Sequence, residues 1–234
     1  MTTKNILGVN LSLRTLRESL SYSDFLMHNG PLSTIYFITT RMLIQASRQE
    51  DVKQLLEDTD MLVCAETDIL RAAGINSGSR LYEVENHLYL KELCRYIHRS
   101  HQQFYLLSDT ASHLDTLAGV LSVYLGELPA HAGQALEDLK GSDDLLQPEV
   151  LANDINDIAP AVILSNLPFP YQLQLMNELK PYLNARLWVG LPSDTILLRQ
   201  KRFSFLALRK IWQKYFCKKV NHYQENNSSD ISAS

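Results

Sequence analysis

Two carboxylates and a hydroxyl stand directly after the apolar run MLVCA, at Glu66, Asp68 and Thr67. A carboxylate at the end of a buried strand can act as a general base or bind the hydroxyls of a sugar. Acidic residues in the first turn of a helix also favour the helix dipole, so a purely structural capping role is the alternative. Glu66 is therefore a candidate catalytic base, and Thr67 and Asp68 are candidate substrate contacts.

Hydroxyl and charged side chains also follow two other apolar runs. Thr39 ends the run TIYFIT and Arg41 comes shortly after it, a pair able to bind a phosphate or sugar hydroxyls. The alternative is that Thr40 between them only caps a helix. Ser108 and Asp109 follow the run QFYLL without any glycine, which excludes a GxGxxG phosphate cradle and argues against a nicotinamide or flavin cofactor.

A loop with two prolines follows the apolar run AVILS. Pro168 and Pro170 restrict its backbone, and Asn166, Tyr171 and Gln172 are candidates to bind a ligand there. A stiff structural turn is the alternative. The seven histidines share no metal-ligand spacing, and no Walker A, HExxH or GxSxG motif occurs. We therefore expect neither a metal nor a cofactor.

The spacing of apolar residues predicts the elements that position these loops. Six apolar runs predict strands, at Ile6–Leu11, Thr34–Thr39, Met61–Ala65, Gln103–Leu107, Ala161–Ser165 and Arg186–Gly190. Helical spacing of three and four residues occurs in Thr15–Met27, Met42–Leu56, Asn86–Arg99, Ala111–Tyr124 and Tyr171–Tyr182. Continuous apolar runs are typical of strands buried on both faces of a parallel sheet. We predict an α/β fold with a doubly wound, mostly parallel, Rossmann-like sheet, helices on both faces, and ligand-binding loops at the carboxyl ends of the strands.

The composition is that of a soluble globular protein, with 45% hydrophobic and 21% charged residues among 234. Three cysteines without a CxxC pair argue against a disulfide scaffold. Arg14 and Arg17 interrupt the region where a signal peptide would be apolar, and no window of about 18 apolar residues is long enough to span a membrane. We expect a cytoplasmic protein.

Charge is distributed unevenly along the chain. Residues 1–198 carry 14 Lys/Arg against 24 Asp/Glu, whereas residues 199–219 carry eight basic residues and no acid. The formal charge of −4 argues against a nucleic-acid partner. We therefore expect an α/β domain over 1–198, a basic amphipathic C-terminal helix within 199–219, and a disordered tail over 220–234.

The basic segment, rich in aromatic residues, suits the anionic inner face of the cell membrane. Its apolar stripe, formed by Leu208, Ile211, Trp212 and Tyr215, could instead pack on the domain and leave the lysines as a solvated face. The predicted membrane contacts are Lys201, Arg202, Arg209, Lys210, Trp212, Lys214 and Lys218.

Read in order, these segments resemble the WecG/TagA/CpsF family of bacterial glycosyltransferases. TIYFITTRMLIQASRQEDVKQLLEDTDMLVCAETDIL is similar to the family pattern "vvTpNae.l..a..d.el...l..adlvlaDGigvv", and FYLLSDTASHLDTLAGVL to "vyLlGg.p.va..aa..L". AVILSNLPFPYQLQLM resembles "dillValGsPkQE.Wi", and RLWVGLPSDTILL resembles "vvigVGgaFDfla". The resemblance is colinear over roughly residues 5–215.

The sequence departs from these patterns at positions that carry chemistry. The family's Asn is Arg41, its Asp-Gly is Glu66-Thr67, and its Gly-Gly is Ser108-Asp109. Gly, Gln and Glu of "GsPkQE" fall on Asn166, Pro170 and Tyr171, while Val189, Gly190 and Asp194 are retained from "VGgaFD". Arg80 matches the Arg of the family's "eRvtGsdL" if Glu83 replaces its Gly. A side chain and a like charge at Ser108-Asp109 occupy space that glycines leave for a diphosphate.

The resemblance implies two functions. The first is a divergent, inverting, metal-independent transferase that moves a sugar from a UDP-sugar to an undecaprenyl-diphosphate-linked acceptor in cell-surface polysaccharide biosynthesis. In that function Glu66 takes the proton of the acceptor hydroxyl, Thr39 and Arg41 hold donor or acceptor, and Asp194 is a further substrate contact. The second is a catalytically inactive relative that serves as a partner or regulator in polysaccharide assembly. The oligomeric state stays open, a homo-oligomer included.

Overall fold

The first element of the chain is a β-hairpin. A computed structural model describes residues 2–126, 133–139, 148–193 and 206–232. Strands β1 (Thr2–Ile6) and β2 (Val9–Leu13) pair antiparallel, with Ile6 opposite Val9. Leu7 and Gly8 between them have φ of 54° and 90°, the left-handed values that a two-residue hairpin turn requires. The single strand predicted over Ile6–Leu11 is therefore wrong, because the chain reverses in its middle.

A six-stranded sheet, separate from the hairpin, forms the centre of the protein. Its strands are β3 (Ser33–Ile38), β4 (Met61–Cys64), β5 (Phe104–Ser108), β6 (Gly133–Ala135), β7 (Val162–Ser165) and β8 (Leu187–Gly190). They pair in the order β4-β3-β8-β7-β5-β6, and every pair is parallel. All residues of β3, β7 and β8 are buried, as expected for strands covered on both faces.

Helices connect the strands and cover both faces of the sheet. Those before β5 are α1 (Leu16–His28), α2 (Thr40–Ala46), α3 (Glu50–Glu57), α4 (Thr67–Ala72), α5 (Gly78–Glu85) and α6 (Leu88–Arg99). Those after it are α7 (Ala111–Leu125), α8 (Leu136–Leu139), α9 (Pro148–Ile158), α10 (Tyr171–Leu179) and α11 (Leu206–Ser232). The helix predicted over Met42–Leu56 is two helices, because the chain turns at residues 47–49 between α2 and α3.

The two faces of the sheet carry separate apolar cores. One contains Ile35, Phe37 and Val189 of the sheet with residues of α1, α6 and α7. The other contains Tyr36 and Trp188 with residues of the hairpin and of α2, α3, α4, α9, α10 and α11. Successive strand residues point to opposite faces, so each buried strand serves both cores. The predicted doubly wound, Rossmann-like α/β fold is confirmed.

Helix α11 packs on the second core through one narrow face. Phe216 and Val220 are 0% and 3% exposed, whereas Ile211 and Trp212 are 65% and 42% exposed. The predicted apolar stripe therefore differs from the face that packs on the domain. The helix also continues to Ser232, through the stretch expected to be a disordered tail. Within the described part of the chain, no helix is long and apolar enough to cross a membrane.

Candidate functional site

The carboxyl ends of β3 and β4 bring Thr39 and Glu66 together. The Thr39 hydroxyl caps α2 by accepting a hydrogen bond from the Met42 amide at 3.3 Å. Glu66 Oε2 accepts a hydrogen bond from the Thr40 amide at 2.9 Å, which ties the carboxylate to the same first turn. Arg41 is exposed on that turn. The hydroxyl of Thr39 thus positions the loop, and Glu66 lies beside it as the sequence predicts.

Thr67 and Asp68 are buried at the start of α4, and Asp68 also connects this helix to α11. Arg71 Nη1 donates hydrogen bonds to Thr67 Oγ1 at 2.8 Å and to Asp68 Oδ1 at 3.0 Å. Gln213 of α11 donates to the same Asp68 oxygen at 2.6 Å. Sequence reasoning missed both partners, although Arg71 stands four and three residues after the groups it binds, a spacing at which helical side chains meet.

The loop after β7 is held by buried polar contacts. Ser108 donates its hydroxyl hydrogen to Asn166 Oδ1, and both side chains are buried. Gln172 is fully buried and donates from Nε2 to the Ser165 carbonyl at 2.7 Å and to its hydroxyl at 2.8 Å. The peptide bond between Phe169 and Pro170 is cis. Ser108, Asn166 and Gln172 therefore stabilise the ends of β5 and β7.

The two remaining described candidates in these loops are more accessible. Asp109 accepts a hydrogen bond from the Thr110 amide at 2.9 Å and pairs with His113 Nδ1 at 2.6 Å in the first turn of α7. The four-residue spacing of Asp109 and His113 could have revealed this pair. Tyr171 is exposed at the start of α10.

A second cluster lies behind the end of β4 and contains Arg80, the residue matched to the family's Arg. Arg80 forms an ion pair with Glu83 at 2.7 Å and donates to the backbone carbonyl of Arg14. Burial raises the pKa of the neighbouring Cys64 thiol to about 12, with the Glu66 carboxylate adding to the rise and the Arg80 guanidinium opposing it. Arg80 and Glu66 thus act on the same thiol from the same end of β4.

His87 lines the same cavity as Cys64, Arg80 and Glu83. Burial, and then the charge of Lys91, lowers its pKa from 6.5 to about 4. The imidazole is therefore neutral near pH 7. Sequence reasoning missed this histidine, because nothing in its local sequence indicates burial.

The candidate residues form a line along the carboxyl edge of the sheet. Strands are spaced by about 4.8 Å, so the end of β7 with Asn166 lies about 10 Å from the end of β3 with Thr39, across β8. Asp109, after β5, is about one strand further along. The structure thus brings Glu66 into contact with Thr40, the residue that follows Thr39. Ser108, Asp109 and Asn166 form a second group.

Several predicted contacts fall at the C-terminal end of the chain. Trp212 packs against Tyr215 with ring centroids 5.4 Å apart, and Lys214 and Lys218 are exposed. Arg209 and Lys210 belong to α11, but their side chains are outside the described set. Asp194, Lys201 and Arg202 lie outside the described residues. Among the residues that are described, no group of three or more His, Cys, Asp or Glu side chains is placed to hold a metal ion.

Comparison with known proteins gives the family. The model of the glycosyl transferase WecG/TagA/CpsF family matches residues 4–193. This range contains all six strands of the sheet and the hairpin from residue 4 onward, together with Glu66, Arg80 and the loop after β7. A search of curated proteins gives no significant match. Since the family model covers most of the chain, the protein belongs to the WecG/TagA/CpsF family of glycosyltransferases.

Proposed function

We propose that the protein transfers a sugar from a UDP-sugar to an undecaprenyl-diphosphate-linked acceptor in cell-surface polysaccharide biosynthesis. The observation that carries this proposal is the position of Glu66 at the carboxyl end of β4, tied to the first turn of α2. Ligands of doubly wound sheets bind at this edge. Family membership supplies the reaction class.

The proposed reaction is an inverting displacement without a metal. Glu66 takes the proton from the acceptor hydroxyl while that oxygen bonds to the anomeric carbon of the donor sugar. The bond from the anomeric carbon to the phosphate oxygen breaks on the opposite face, and its electron pair leaves with UDP. Arg41 lies two residues from Thr39 on the first turn of α2, where its guanidinium can neutralise charge on the departing diphosphate.

The test replaces Glu66 by glutamine, which removes the base and preserves its shape. We expect turnover to fall by about 10²- to 10⁴-fold, the usual contribution of a general base. Calorimetric titration with UDP and UDP-sugars should give the same affinity as for the original protein. Glu85→Gln, at an exposed glutamate of α5, is the matched control and should leave turnover unchanged. Full activity in the Glu66→Gln variant would refute the assignment.

A non-catalytic role in polysaccharide assembly is the second candidate. The bond between Ser108 and Asn166 favours it, because these side chains stand at positions where the family pattern has glycines. The Glu66 carboxylate also has a structural partner in the Thr40 amide. Absence of UDP-sugar binding in the same titrations, with the fold intact by circular dichroism, would support this role and contradict the first.

We also propose that the outward side of α11 docks on the anionic cytoplasmic face of the membrane. Ile211, Lys214 and Lys218 are exposed there, while Phe216 faces the core. Each basic residue near an anionic leaflet contributes about 1 kcal/mol, and salt screens the attraction. The docked helix would hold the candidate site near a lipid-linked acceptor.

Vesicle binding tests this docking. Deleting the helix is unsuitable, because it would uncover the core around Phe216 and Val220. Replacing Lys214 and Lys218 together by glutamine removes about 2 kcal/mol of attraction to the anionic surface. This should reduce partitioning onto anionic vesicles about 30-fold at low salt. The matched control replaces Arg17 and Arg99 by glutamine. These arginines are exposed on α1 and α6, which cover the face of the sheet opposite to α11. Equal losses for the two double variants would contradict docking through α11.

A further inference from the structure

Helix α5 covers the cavity that contains Cys64 and His87. Arg80, Glu83 and Val84 of this helix form one side of the cavity, and Cys64 at the end of β4 lies on another. The cavity has a volume of about 40 Å³. This is about the space that two water molecules need, so part of the inner face of α5 has no packing partner.

Apolar packing holds α5 loosely. None of its eight residues is buried, whereas five of the twelve residues of α6 are. Leu81 and Val84 are partly buried against the core, and the contacts of α5 are mainly with α4 and α6, its neighbours in the chain. A helix of this length is not stable by itself. We therefore expect α5 to open at a lower free energy than the helices around it.

The segment that carries α5 begins and ends at residues with left-handed backbone. Gly74, just after α4, has a φ of 80°, and His87, just before α6, has a φ of 51°. A Cβ at Gly74 would meet no atom within 4 Å, so no neighbouring side chain restrains the backbone there. Residues at the ends of elements absorb the change in φ and ψ when a segment moves as a unit. Gly74 and His87 are therefore suited to be the hinges of α5.

Two charged side chains connect α5 to the junction between β2 and α1. Arg80 donates a hydrogen bond to the carbonyl of Arg14, and Glu83 Oε2 accepts one from the Leu16 amide at 3.2 Å. Arg80 and Glu83 also form an ion pair at 2.7 Å. Their side chains are only 13% and 25% exposed, so solvent screens these contacts less than it would at an open surface. We call Arg80 and Glu83 the latch of α5.

We propose that α5 is a lid that opens about Gly74 and His87 and that the latch holds closed. Opening moves α5 away from β4 and exposes the side of Cys64 that faces the cavity. The Glu66 carboxylate acts on the pKa of the same thiol, so the cavity lies close to the candidate site. The open lid therefore widens access to this side of Glu66. The lid does not rest on the proposed function, because it follows from the packing and hydrogen bonds of α5.

Alkylation of Cys64 by iodoacetamide measures the opening in the full chain. Replacing the exposed Cys217 by serine leaves Cys64 beside the lid and Cys94 fully buried in the other core. With the lid closed, burial raises the pKa of the Cys64 thiol to about 12, so little of the reactive thiolate is present. Mass spectrometry of the two peptides gives both rates from one sample. Cys64 should react at least about tenfold faster than Cys94, which is reached only by more extensive unfolding.

Matched variants of α5 test the latch. Glu83→Gln removes the ion pair with Arg80 and weakens the acceptor of the Leu16 amide, so it should accelerate alkylation of Cys64 about tenfold and leave Cys94 unchanged. Glu85→Gln removes the same charge at an exposed position of α5 and should change neither rate. Amide hydrogen exchange does not depend on the thiol, and in residues 78–85 it should accelerate in Glu83→Gln but not in Glu85→Gln.

Three results would overturn the lid. They are equal rates at Cys64 and Cys94 in the Cys217→Ser protein, unchanged Cys64 alkylation or unchanged α5 exchange in Glu83→Gln, and equal acceleration at both cysteines, which would mean general destabilisation. A protein that gives the expected rates but transfers no sugar keeps the lid and loses the proposed function. Sugar transfer together with any of the three results overturns the lid alone.

Discussion

Replacing Gly190 by alanine tests how closely β3 and β8 pack beneath the candidate site. Gly190 stands opposite Tyr36 in the parallel pair. A Cβ at position 190 would lie 2.3 and 2.4 Å from Cδ2 and Cε2 of Tyr36, and 3.2 Å from Gln172 Oε1. Ordinary carbon contacts are about 3.5–4.0 Å, so the ring would have to move by more than about 1 Å. Tyr36 is fully buried, which leaves it no open space to enter.

The expected cost follows from this overlap. Forcing extra atoms into a packed core destabilises a protein by about 1–3 kcal/mol, and a clash with a rigid ring belongs at the upper end. We expect Gly190→Ala to lower the free energy of unfolding by about 2–3 kcal/mol, measured by urea denaturation. The same substitution at Gly119 in α7 meets no atom within 4 Å and should stabilise the helix by about 0.5–1 kcal/mol.

A double variant assigns the cost to the contact itself. Tyr36→Leu removes the ring atoms that the new methyl would meet, so adding Gly190→Ala to it should cost much less than in the original sequence. Two results would refute the reasoning: a Gly190→Ala protein as stable as the original one, or equal costs in the two backgrounds.

Two further changes concern pH and the C-terminal helix. Because His87 has a pKa of about 4 when folded and about 6.5 when unfolded, the unfolded chain binds more protons between these values. The contribution of His87 to stability is therefore complete above pH 6.5. As the pH falls to 4, the free energy of unfolding decreases by at most about 3 kcal/mol. Asparagine tolerates the φ of 51° at this position, so His87→Asn should reduce that loss of stability, as measured by urea denaturation at pH 7 and 4.5. An unchanged pH dependence would contradict this. Phe216→Ala should lower the free energy of unfolding by up to about 3–5 kcal/mol and accelerate amide exchange in α11, whereas Ile211→Ala should do neither. Equal exchange rates in the two variants would argue against packing of α11 on the core through Phe216.

The sequence predicts the central strands well because they are buried on both faces. A strand such as β3 must be apolar along its whole length, and this leaves an unbroken run that the sequence displays. Strand β6 has three residues, Gly133–Ala135, at the edge of the sheet and offers no such run. The hairpin was missed because apolar residues continue through its turn at Leu7 and Gly8.

The candidate site was predictable as a set of loops but not as a set of contacts. The rule that ligands bind at the carboxyl ends of parallel strands located Glu66 and Thr39 correctly at one edge. The partners that restrain the other candidates are distant in sequence, as with Ser108 and Asn166, 58 residues apart. Such pairing depends on strand order, which the pattern of apolar residues does not specify.

The N-terminal hairpin has a consequence for solubility. Strand β4 is at one edge of the sheet, where its outer backbone groups would be open to pairing with a strand of another molecule. Strand β2 lies beside β4 without joining the sheet. Asn10 of β2 also donates a hydrogen bond, at 3.2 Å, to Oε1 of Glu57, a residue that precedes β4 in the chain. The hairpin thus shields this edge from aggregation. Since it precedes β4 in the chain, the shield is already synthesised when the vulnerable strand leaves the ribosome.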